Sequence, residues 1–124
     1  MDRRIAKIKR HNNGLLRVGF WWSEEDPTLP HPKDFVDPEW PEQERDQVLA
    51  YLDSAYMMNY AYAGRSWCRL GCPRAARDMG SLDLTDGVWL FPEGLAHYLR
   101  THQVKPCGEF LEHIRKSGYK IPNL

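Results

Sequence analysis

Five prolines, Pro27, Pro30, Pro32, Pro38 and Pro41, fall within residues 23–41. Proline lacks the backbone N–H that a ladder or helix needs, and it drives the preceding residue toward extended backbone. This stretch is therefore read as an extended strap crossing the surface, pinned by Leu29, Phe35, Val36 and Trp40. Regular structure has to be built from what lies on either side of it.

Before the strap, residues 1–13 form a basic arm: Arg3, Arg4, Lys7, Lys9 and Arg10 stand against Asp2 alone. Asn13-Gly14 marks a turn, and residues 14–124 make one domain. Leu16, Val18, Phe20 and Trp22 alternate at period two, which predicts a strand over 15–22 with those four on one face. Beyond the strap, Pro41 suits a first helical position, with Glu42 and Glu44 at the positive end of the dipole. Val48, Leu49, Leu52 and Ala55 supply the buried stripe of that helix. The aromatic alternation of residues 56–63 predicts a second strand.

Asp86-Gly87, between the apolar runs Leu82–Leu84 and Val88–Leu90, predicts a tight hairpin. Pro92 then opens a helix to about residue 102, and Pro106 opens another with Cys107, Phe110, Leu111 and Ile114 inward. The expectation is a small α+β domain: an antiparallel sheet of three or four strands under about three helices.

Lys+Arg and Asp+Glu both total 17, so the formal net charge is zero. A neutral total argues against nucleic-acid binding as the main task. Residues 23–46 nevertheless hold nine acids against Lys33 and Arg45. No apolar run reaches the roughly 18 residues of a membrane helix, and no apolar core follows the charged N-terminus. Three cysteines do not make a disulfide framework, so reduced thiols and a cytoplasmic setting are the natural reading.

Chemistry concentrates in residues 64–102. Cys68 and Cys72, with His97 and His102, offer the thiolates and imidazoles that zinc prefers. The histidines are five residues apart, about 140° around a helix, so they share a metal only if the helix frays before His102. Leu95, Tyr98, Leu99 and His102 follow one stripe, which makes His102 a core histidine and the cysteines small buried hydrophobes. The packing reading is the favoured one. Glu93 and His97 fall at i, i+4 on the opposite, polar face and suit an acid/base pair, with Asp86 as a third polar group, or equally a surface ion pair. Arg65, Arg69, Arg74 and Arg77 beside Trp67 suit an anion, or serve to lock down the acidic strap. Cys107 reads as a buried thiol.

The segments Gly64-Arg65-Ser66-Trp67-Cys68-Arg69, Leu84-Thr85-Asp86-Gly87-Val88-Trp89 and Pro92-Glu93-Gly94-Leu95-Ala96-His97-Tyr98 resemble the motifs of an uncharacterised family of small bacterial proteins. Trp21-Trp22-Ser23, Leu29-Pro30 and Phe35-Val36-Asp37 fit the same pattern, which spans most of residues 20–114. The chain departs from it in the arginine-rich residues 73–79 and at Pro106-Cys107-Gly108. The resemblance implies no activity.

The leading expectation is a non-catalytic interaction domain that binds another protein through the Cys/Arg loop and the Glu93/His97 helix face. The alternatives are a small zinc-dependent enzyme or zinc-stabilised domain, and a binder of anions or nucleic acid through the arginines. Oligomeric state is not legible.

Overall fold

The Asp86-Gly87 hairpin forms as its sequence predicts and organises the sheet. In the computed structural model, which describes residues 3–6, 14–62, 67–72 and 79–124, β3 (Leu82–Thr85) and β4 (Trp89–Pro92) pair antiparallel, with Leu84 opposite Phe91. Gly87 turns the chain at φ +96°. Asp86 Oδ1 accepts the N–H groups of Val88 (2.9 Å) and Trp89 (2.7 Å), closing the turn from within. β2 (Tyr56–Ala61) pairs antiparallel with β3, with a register shift between Met57 and Ala61. β1 (Leu16–Arg17) pairs with β4, giving the order β1-β4-β3-β2.

The β1–β4 pairing is parallel, so the sheet is mixed and not purely antiparallel. Nor does the first strand run over 15–22. Gly19 takes φ +79° and breaks the ladder after two paired residues. The inward set is also shifted: Leu15, Val18 and Trp21 are buried, whereas Leu16 is 53 % exposed.

Among the described residues the helices are α1 (Glu42–Asp53), α2 (Leu95–His102) and α3 (Gly108–Lys116). Two begin later than their prolines suggest. Pro92 is the last residue of β4, where a missing N–H is tolerated at a strand end, and α2 starts only after Gly94. Gln103 ends α2 in the left-handed region.

Strand alternation sends Leu84, Trp89 and Phe91 to the helix side, where Val48, Tyr51, Leu52, Leu95, Leu99, Phe110 and Ile114 complete the main core. Leu90 faces the other side and packs with Leu15 and Met58. The strap is less extended than its prolines suggest: hydrogen-bonded turns at Ser23–Asp26, Asp26–Leu29 and Asp37–Trp40 flank a 3-10 turn at Pro32–Phe35, with Trp40 buried and Val36 bridged to Val104. Part of the basic arm is docked: Ile5 bridges to Met57, and Arg3 Nη1 donates to the carbonyls of Leu52, Asp53 and Ala55 at the end of α1. No helix among the described residues is long and apolar enough to cross a membrane.

Candidate metal centre

Gly71 N–H donates to the Cys68 carbonyl (3.1 Å), making a turn that lays residues 67–72 against α2. Tyr98 fastens it there. Its hydroxyl accepts the Arg69 backbone N–H at 2.9 Å, and burial pushes its ionisation above the ordinary phenol value. The turn places Cys68 over the end of α2, and the Cys68 Sγ to His102 Nε2 distance is 3.4 Å.

His97 joins them. One ligand atom from each of Cys68, His97 and His102 lies within 4.8 Å of the other two. The two imidazole centroids are 5.1 Å apart at 74°. The helix does not have to fray for this, since α2 remains helical through His102. About 140° separates the two Cα positions, but the rings lean into the same space beneath residue 68. The faces are thus reversed from the sequence reading. His97 is 1 % exposed and belongs to the interior, whereas His102 is half-buried. Burial, and then the neighbouring His97, lowers His102 below its ordinary value. Its ring is therefore neutral near pH 7, the state in which imidazole offers a lone pair to a metal.

Cys72 stands apart from this group and packs at the margin of the main core. The three gathered side chains are a thiol and two imidazoles, the donor types that suit a borderline-soft cation. This cluster can hold a metal ion.

The other candidate residues have different partners. Glu93 and His97 do not pair: Glu93 Oε1 accepts the backbone N–H groups of Ser81 (3.1 Å) and Leu82 (3.2 Å), sealing the start of β3. Asp86 sits at the opposite end of the same hairpin. Its Oδ2 accepts the Tyr51 hydroxyl and lies 3.0 Å from His113 Nε2. The carboxylate is fully buried, and with burial it raises the ionisation of Tyr51. Asp86, Glu93 and His97 therefore form no common constellation.

Of the four loop arginines, Arg65, Arg74 and Arg77 lie outside the described residues. Arg69 donates from Nε to the Trp22 carbonyl (3.0 Å) and from Nη1 to the Trp67 carbonyl (2.8 Å), and its guanidinium stacks 4.3 Å over the Trp67 ring. It thus ties the start of the strap through the Trp22 backbone carbonyl. Cys107 is half-buried against the main core.

Sequence reasoning passed over a second buried carboxylate, Asp83, which accepts the hydroxyls of Tyr60 (2.6 Å) and Tyr62 (2.9 Å) at Oδ2. The signal was present as two tyrosines at alternate positions of one strand beside an acid in the next. Tyr62 is pushed up to about 12 by burial and by Asp83, so it stays a donor at neutral pH. No family model matches the chain, and no similar curated protein or solved structure is found.

Proposed function

We propose that this chain is a zinc-stabilised, non-catalytic domain in which Cys68, His97 and His102 hold one zinc ion. The convergence of three donor atoms within 4.8 Å carries the reading. A tetrahedral zinc with Zn–S of about 2.3 Å and Zn–N of about 2.0 Å sets sulfur and nitrogen roughly 3.5 Å apart. The Cys68–His102 separation of 3.4 Å already has that value. Three protein donors are the number found in catalytic zinc sites, with water in the fourth position. Here, however, Cys68 and His97 are buried, and neither of the two cavities described includes any of the three residues. A structural tie between residues 67–72 and α2 fits that seclusion better than substrate turnover does.

Beside the site, Trp67 is 54 % exposed with Arg69 stacked on it. An exposed Trp/Arg pair on a segment held down by a metal is the kind of anchor that protein partners bury. This pair supports the reading of an interaction domain, on a narrower face than the sequence suggested, since His97 is interior.

Metal analysis of protein purified without a metal-affinity tag, by elemental analysis and native mass spectrometry, tests the proposal. One zinc per chain is expected, lost in Cys68→Ser and His97→Ala and retained in Cys72→Ser. Absence of bound metal, together with failure to take up added zinc, refutes it.

A further inference from the structure

Trp21 Nε1 and Asp83 Oδ1 are both buried, and neither has a hydrogen-bond partner among the described residues. Folded proteins leave few such groups unpaired, because burial strips their water without replacing it. Both residues wall a cavity of about 340 Å³ between the strap, the start of β3 and the start of α2, and Trp21 also walls a second cavity beside it. That volume is within the range of small-ligand pockets, about 300–1,000 Å³. The cavity shares no residue with the metal cluster.

The wall is chemically two-ended. Asp83 has one oxygen occupied by two tyrosine hydroxyls and the other buried without a partner among the described residues. The Tyr60 and Tyr62 hydroxyls are neutral partners, so among the described residues no cation faces this carboxylate at hydrogen-bond distance. Phe20 and Trp21 add aromatic surface of the sort that attracts an organic cation. The indole N–H of Trp21 asks instead for an acceptor, and the Arg69 guanidinium, also on the wall, favours that acceptor being an anion. A phosphate-rich ligand is disfavoured, because Asp83 and Asp26 would both stand near it. A purely apolar ligand would leave both buried polar atoms as they are.

We propose that this cavity binds a small amino acid or close derivative, with its ammonium on Asp83 and its carboxylate toward Trp21 Nε1 and Arg69. The Tyr62 hydroxyl, held protonated to about 12, keeps Asp83 Oδ2 engaged and leaves Oδ1 for the ammonium.

The Trp21 indole N–H is a reporter inside the site. The test is to add each standard L-amino acid at millimolar concentration to the full chain and follow the indole resonances by ¹H–¹⁵N NMR, with Trp21 assigned from Trp21→Phe. At least one amino acid should move the Trp21 signal saturably, and its N-acetyl derivative, lacking the cation, should bind about tenfold or more weakly. Asp83→Asn should lose the same affinity. If that variant fails to fold, the N-acetyl comparison on the unaltered protein decides the matter. No response to any amino acid, or equal binding of the acetylated form, overturns the proposal.

Discussion

Replacing Glu44 by Gln removes one charge from a carboxylate that accepts four hydrogen bonds. Glu44 accepts from Arg115 Nε (2.9 Å) and Nη2 (2.7 Å), from Trp40 Nε1 (2.9 Å) and from the Tyr119 hydroxyl (2.6 Å). One side chain thus joins the end of the strap, the first turn of α1, the last turn of α3 and the residues beyond it. The Arg115 guanidinium chiefly holds Glu44 near 2, against an ordinary 4.5. At about 1.36 kcal/mol per pH unit, that interval corresponds to roughly 3.4 kcal/mol. The Arg115 side chain is 42 % exposed, and solvent screening at such a site reduces the net contribution to about 1.5 kcal/mol.

The folded-state value is depressed, so this stability is fully present above about 4.5 and is lost as pH falls through that value toward 2. Urea unfolding of Glu44→Gln at pH 7 should therefore show a loss of about 1.5 kcal/mol, or roughly 6 °C in Tm for a domain of this size. At pH 3 the gap should shrink to less than half. A gap below about 0.3 kcal/mol at pH 7, or an equal gap at both pH values, would refute the reasoning.

Asp86→Ala strips partners from the Tyr51 hydroxyl, His113 and two backbone N–H groups at once, so thermal unfolding should report a loss of about 3 kcal/mol or more. Gly19→Ala places a Cβ 2.9 Å from Leu95 Cδ1 at a backbone φ of +79°, and chemical denaturation should register about 2 kcal/mol of destabilisation. Zinc-loaded protein should gain about 2.7 kcal/mol over chelator-treated protein when free zinc exceeds Kd a hundredfold, read as a rise in Tm that Cys68→Ser abolishes.

The hairpin, the position of the strap and the existence of the three described helices could be read from the sequence because local chemistry decides them. Asp86-Gly87 and the five prolines impose backbone conformations whatever surrounds them. The orientation of β1 could not be read in this way. Its two paired residues look like any short alternating segment, and only the distant β4 makes the pairing parallel. The candidate site divided along the same line. Cys68, His97 and His102 stood out as ligand types, but a helical wheel put the histidines on different faces. A wheel records Cα directions only, and here a turn from elsewhere in the chain buries His97 and brings the two rings together. Asp83 was missed for a related reason. In Leu82-Asp83-Leu84-Thr85 it occupies the alternate position that usually meets water, yet it is 1 % exposed behind Tyr60 and Tyr62.

The parallel pairing of Leu16 with Trp89 joins positions separated by about 70 residues, and closing so long a loop carries an entropic cost that no nearby contact offsets early in folding. The hairpin can zip locally, while β1 has to wait for β4 to be in place. With only two residues in the ladder, this edge should also be the first part of the sheet to open, and its amides the quickest to exchange with solvent. The chain leaving β1 runs directly into Gly19, Phe20 and Trp21, which wall the cavity. Fraying of one short strand would then loosen one wall of that cavity while the helices and the hairpin stay folded.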